Sequence, residues 1–175
     1  MNSTKYYKHL GYKHLAVALV LGVFISGCMQ EPAKVLQIGE KAPAFSLDLL
    51  DGERSHLDFY SGKGVAMTFM SSWCPCSNDS IPLMKKAYTD NRDNDLVVLM
   101  VGIQDSRSKF RQFVEKWQIP FPAGYDKGDM IAREYGVHAP PTTVFIDKSG
   151  KVKRVFYGNI DDKREEFPQW IEEIL

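Results

Sequence analysis

Cysteine is scarce: the 175-residue chain has three, too few to staple a small disulfide-built domain. An excess of one charge is lacking as well. Lys+Arg and Asp+Glu each number 22, which gives no support for a general nucleic-acid-binding surface. No apolar run reaches the roughly 20 residues that a membrane-spanning helix needs. There is no Gly-rich phosphate loop and no His-Glu-x-x-His run, so nucleotide binding and zinc-protease chemistry leave no local signature. What remains is ordinary globular material. The chain is 44% hydrophobic and 25% charged, with 10 Phe, 8 Tyr and 3 Trp. That composition excludes a mostly disordered chain and supplies a core. The length fits one domain.

The charge is unevenly spread. Residues 1–27 carry Lys5, Lys8 and Lys13 and no acid, which leaves 19 bases against 22 acids in the remainder. An apolar run follows, Leu15 to Ile25, with Gly22 its main break. It has the length of a signal-peptide core, about 7–15 residues. It ends in Ile25-Ser26-Gly27-Cys28, which resembles a bacterial lipobox. Residues 1–27 are therefore expected to be a lipoprotein signal peptide, with Cys28 as the lipid-attachment site and 28–38 as a polar tether containing Pro32. Such an anchor would hold the domain outside the cytoplasm, each buried CH₂ contributing about 0.8 kcal/mol. With Cys28 so used, one pair remains, Cys74 and Cys76, in a compartment that permits disulfides.

The domain is expected over 39–175. Phe45 to Leu50 alternates like a half-buried strand, Asp51-Gly52 turns it, and Ser55 to Phe59 returns. Val65 to Met70 and Leu96 to Val101 read as buried central strands. Between them Ile81, Met84, Ala87 and Tyr88 share a helical face, which Pro82 would kink or restart. Ser106 is a plausible N-cap for a helix carrying Phe110, Phe113, Val114 and Trp117 on one face. Ile119 to Phe121 predicts a short extended piece and Asp129 to Tyr135 a short helix. Thr142 to Ile146 and Val152 to Tyr157 form a closing hairpin around Gly150. Asp161 to Leu175 predicts a final helix. The alternation implies an α/β fold, a mixed central sheet with helices on both faces and an N-terminal β-hairpin.

The chemistry-bearing stretch is Trp73-Cys74-Pro75-Cys76. Two thiols lie where a buried strand meets a helix start. That end of a helix offers free N–H groups and a positive partial charge, both of which stabilise a thiolate. The thiolate is the attacking species in disulfide exchange. Cys74, at the strand end, is expected to be the more exposed sulfur and the nucleophile, with Cys76 resolving the mixed disulfide. Pro75 stiffens the link and Trp73 shields one side.

Phe69-Met70-Ser71-Ser72-Trp73-Cys74-Pro75 resembles the active-site strand of thioredoxin-like proteins. The wider pattern resembles the membrane-anchored thiol-disulfide oxidoreductases of the TlpA/ResA type, within the AhpC/TSA-redoxin superfamily. Asp51-Gly52 with Gly62-Lys63-Gly64 is similar to their lead-in. Tyr135-Gly136-Val137, then Pro141-Thr142-Thr143-Val144-Phe145-Ile146-Asp147 and Gly150, is similar to their second signature. The resemblance implies a thioredoxin-like fold and exchange of a Cys74–Cys76 disulfide with protein thiols or disulfides. It also implies a membrane electron-transfer partner and no bound cofactor. It places a cis proline at Pro141, facing the cysteines. Trp73, Pro75, Pro140 and Pro141 would seat the substrate.

The departures are specific. The family spaces its cysteines Cys-x-x-Cys, whereas Ser77 stands here where the second belongs. A disulfide between residues two apart closes a small ring that meets normal geometry only with strain, and strained disulfides are more oxidising. Ser80 replaces the family's buried acid downstream, and Thr68 stands where thioredoxins keep a buried aspartate. A rival reading is a Sco-like Cu(I) chaperone using Cys74, Cys76 and His138, since soft thiolates select Cu(I). A thiol peroxidase would need a proline at position 67 and a Ser or Thr at 71. Ser71 satisfies the second requirement, and Met67 fails the first.

Overall fold

The structure, a computed structural model, describes residues 36–175. The expected signal peptide, Cys28 and the expected tether up to residue 35 lie outside the described residues. The centre is β3, Gly64–Met70, buried at all seven positions. On one side it pairs in parallel with β4 (Leu96–Gly102), and β4 pairs in parallel with β5 (Ala123–Tyr125). On the other it pairs antiparallel with β6 (Thr142–Ile146), and β6 with β7 (Val152–Tyr157). The order β5-β4-β3-β6-β7 is the mixed sheet expected. A separate two-stranded hairpin holds β1 (Ser46–Asp48) and β2 (Arg54–His56).

Both faces of this sheet are covered, which is why its inner strands read as continuous apolar runs. Val65, Met67 and Phe69 join Leu99, Val101, Val144 and Ile146 on one face. There they meet Leu47 of the hairpin and Ile131 of α3 (Met130–Glu134). Ala66 and Met70 join Val98, Met100 and Phe145 on the opposite face. Ile81 and Met84 of α1 (Pro75–Asp90), Phe110 and Phe113 of α2 (Arg107–Lys116), and Phe167 and Trp170 of α4 (Phe167–Glu172) close that side.

Three local expectations change. Pro82 lies inside an uninterrupted 16-residue α1 rather than restarting it. Its missing N–H removes one intrahelical bond, and the buried Ile81, Leu83 and Met84 hold the helix across that gap. The extended piece falls at Ala123–Tyr125, not at 119–121. Pro120 and Pro122 lack donors, so the ladder with β4 begins after them. The final helix splits into a 3-10 turn, Ile160–Lys163, and α4, where Pro168 occupies the first turn. A proline is tolerated there because no intrahelical donor is needed.

The sheet and α2 meet closely at Gly102. A Cβ built there would lie 2.4 Å from the Phe110 ring, which is itself fully buried. Gly102→Ala is expected to cost about 1–3 kcal/mol through overpacking. Urea unfolding should show this as a lower midpoint, and an unchanged midpoint would mean that Phe110 has room to move.

Candidate active site

β3 ends at Met70, and four residues, Ser71 to Cys74, lead into α1. Cys74 is the N-cap, in extended conformation, and Pro75 opens the helix. Proline suits that position because its fixed φ is already helical. The Cys74 thiol therefore sits at the positive end of a four-turn helix. It is buried, with 8% of its surface exposed, and it donates to the Pro140 carbonyl at 3.6 Å. The Pro140–Pro141 peptide bond is cis, as the resemblance implied. The cis-proline loop and the cysteines thus meet at one end of the sheet. Pro141 is buried and Pro140 half-buried.

Cys76 is exposed. Local desolvation, then the neighbouring Cys74 and Asp79, push its thiol above the ordinary range. The order of exposure is the reverse of that expected for Cys74 and Cys76. The N-cap position draws Cys74 inward beneath the Pro140 carbonyl, and the first turn of α1 carries Cys76 out to solvent.

Ser77 occupies the place of a Cys-x-x-Cys partner and is fully buried. Its Oγ accepts from the Ser71 amide at 3.3 Å. Ser80 is also buried. Its hydroxyl lies 2.9 Å from the Cys76 carbonyl and 3.0 Å from Asn159 Oδ1, and accepts from the Ile160 amide at 3.2 Å. It ties the first turn of α1 to the loop after β7. Thr68 and Thr143 pair at 3.3 Å between adjacent strands. Both are buried, so a neutral hydroxyl pair fills the place of the thioredoxin aspartate.

Trp73 stands 58% exposed beside the cysteines, its indole donating to the Gln104 carbonyl at 2.8 Å. Gln104 has φ +50. Its side chain donates to the His138 carbonyl at 2.7 Å and its amide donates to Asp129 at 2.8 Å. One residue thus links the tryptophan to the cis-proline loop. Sequence reasoning missed Gln104, because its bonds come from a left-handed backbone turn that no motif announces. Gln104→Ala is expected to cost about 1 kcal/mol and to slow disulfide exchange several-fold by loosening the loop over Cys74. Urea unfolding combined with steady-state exchange checks this; an unchanged exchange rate would limit Gln104 to a structural tie.

His138 is exposed and enters the site through its carbonyl rather than its imidazole. Among the described residues no group of three His, Cys, Asp or Glu side chains is placed to hold a metal. The three-ligand Cu(I) set of Cys74, Cys76 and His138 is therefore not assembled here.

The pattern of the AhpC/TSA family matches residues 38–155. The chain belongs to that family. Thiol-disulfide oxidoreductase ResA of Geobacillus thermodenitrificans (strain NG80-2) is 32% identical over 161 residues, 91% of each chain. ResA of Geobacillus kaustophilus (strain HTA426) is 32% identical over 138 residues, 78% of each. Among solved structures, a protein from Chlorobium tepidum assigned as thiol:disulfide interchange protein DsbE superposes with a TM-score of 0.75 at 27% identity. The match covers 79% of this chain and 98% of that one. The thioredoxin domain of a thiol-disulfide oxidoreductase from Bacteroides vulgatus shares the fold, with a TM-score of 0.69 at 20% identity, covering 78% of this chain and 99% of that one. This AhpC/TSA-family chain is a thiol-disulfide oxidoreductase built on a thioredoxin-like fold.

Proposed function

We propose that Cys74 and Cys76 are the redox couple of this oxidoreductase and that its substrates are protein dithiols or disulfides outside the cytoplasm. The observation that carries this reading is the Cys74 thiol at the helix start, 3.6 Å from the Pro140 carbonyl, with a second thiol exposed two residues on. Disulfide exchange passes through a mixed disulfide and an internal one, which two neighbouring thiols can form in turn. Trp73 and Pro75 form the exposed rim, and Pro140 and Pro141 the opposite wall, between which a partner chain would be seated. Electrons pass between sulfur atoms alone, so no bound cofactor is required.

Cys28 would carry the lipid that tethers the domain to a bacterial membrane, periplasm-facing if the envelope has two membranes. The lysine-led apolar run before Cys28 supports this reading, and a membrane electron-transfer partner would then reset the couple. Among the described residues no helix is long and apolar enough to cross a membrane.

The test uses the reduced full chain and a protein disulfide. After acid quenching and alkylation, Cys74 and Cys76 should be joined to each other in proportion to the substrate disulfide lost. Free thiols on both, with substrate consumed, would refute the couple. Fractionation tests the tether: the wild-type chain should pellet with membranes and Cys28→Ser should not.

A further inference from the structure

We propose that Cys76, rather than Cys74, is the sulfur that bonds covalently to the partner, with Cys74 forming and breaking only the internal disulfide. This assignment rests on the reading of the two cysteines as a couple. It follows from access. Exchange requires a partner sulfur to approach along the line of the breaking S–S bond, so the sulfur attacked must be open to a protein-sized reactant. Cys74 is buried, and the Pro140 carbonyl occupies one approach at 3.6 Å. Cys76 is exposed, on the solvent side of the first turn of α1.

The leaving group agrees with this order. In the oxidised protein a partner thiolate attacks Cys76 Sγ. A partner–Cys76 bond forms and the Cys74–Cys76 bond breaks. The electron pair leaves on Cys74, at the helix N-cap. Local desolvation, then Cys74 and Asp79, raise the pKa of Cys76. Attack at Cys74 would need a partner sulfur to reach the buried position and would expel Cys76, whose raised pKa slows its departure. A second partner thiolate then attacks the partner's own sulfur in the mixed disulfide. Cys76 departs as a thiolate and takes a proton from water. The partner dithiol has lost two electrons and the cysteine pair has gained them. Run backwards, the same steps reduce a partner disulfide: Cys76 attacks first, and Cys74 then displaces the partner from Cys76. Both directions pass through one mixed disulfide, carried on Cys76.

The burial of Ser77 supports the inversion. In a Cys-x-x-Cys arrangement the second sulfur would take that buried position and the first would have to face the partner. Moving the second cysteine one place forward, to 76, takes it out of the helix's inner face. The outer sulfur of this pair is thus the second in sequence, and the inner one is the first.

The test uses the full chain carrying Cys28→Ser and a symmetrical disulfide of a peptide with one cysteine. Attack attaches one peptide and releases the other as a free thiol, and the adduct is read by intact mass. Cys74→Ser, which keeps Cys76, should form adduct about tenfold or more faster than Cys76→Ser. Equal rates, or a faster Cys76→Ser, would overturn the assignment. A variant-free measurement runs in parallel. Brief treatment of the reduced wild-type cysteines with iodoacetamide, followed by peptide mapping, should label Cys76 well ahead of Cys74; the opposite order would also overturn it. The two levels separate cleanly. A chain with both cysteines that never forms its internal disulfide on reducing the peptide disulfide refutes the couple itself. One that does, but carries its adduct on Cys74, refutes only this assignment.

Discussion

Cys74→Ala and Cys76→Ala should each lower steady-state reduction of a protein disulfide by about a thousandfold or more, because residues acting as one unit lose nearly everything together. Two electrons must leave the protein for each substrate disulfide opened. A lone cysteine can form the mixed disulfide but has no neighbouring sulfur to resolve it, so turnover stops at one equivalent. The variants should differ in what they accumulate. Cys74→Ala keeps the exposed sulfur and should collect substrate as an adduct, whereas Cys76→Ala keeps the sulfur beneath Pro140 and should collect little. Neither loss should reflect unfolding. Cys76 is exposed and Cys74 lies at the edge of the core, so stability should change by about 1 kcal/mol or less for Cys76→Ala. Retention of more than about a tenth of the wild-type rate by either variant would mean that a two-thiol cycle is not how this chain works.

Ser77→Cys should make the couple more reducing by about 30–60 mV, equivalent to roughly 1.4–2.8 kcal/mol for two electrons. The argument is ring size. A disulfide from 74 to 76 must span a single intervening residue, whereas one from 74 to 77 spans a helical turn and meets ordinary geometry with less distortion. Ser77 is already buried next to the end of β3, its hydroxyl accepting from the Ser71 amide at 3.3 Å. Sulfur at that position costs one weak hydrogen bond and little volume. The relaxed pair should win the internal disulfide, leaving Cys76 as a free thiol. Equilibration of Ser77→Cys with glutathione buffers, read by alkylation and mass, checks both the shift and the pairing. An unchanged potential would show that Cys74–Cys76 closes without strain.

Elements whose signals are local and unopposed are legible from the sequence. Thr142–Ile146 and Val152–Tyr157 have the predicted bounds, because β-branched runs flank a glycine turn. Ser106 caps α2 as predicted, accepting from the Lys109 amide. The cysteines, the cis proline and their meeting at one sheet end are legible through the two signatures. The ranking of the two sulfurs is not. Exposure at the N-cap depends on the Pro140 carbonyl, 66 residues away in sequence, and no local pattern encodes that distance. Gln104 is hidden for the same reason, as its contacts with Trp73 and His138 arise only after β3, β4 and β6 pair. The silent replacements, Thr68 and Ser80, are legible as departures. Their compensation by Thr143 and Asn159 emerges only in three dimensions.

The central claim is a two-electron couple between Cys74 and Cys76, and a redox titration of the Cys28→Ser chain tests it most directly. Across graded glutathione or dithiothreitol buffers, one transition should join the two thiols pairwise, with a midpoint above the roughly −270 mV of a thioredoxin. Two thiols that stay free throughout, or that oxidise independently to mixed disulfides without ever pairing, would contradict it.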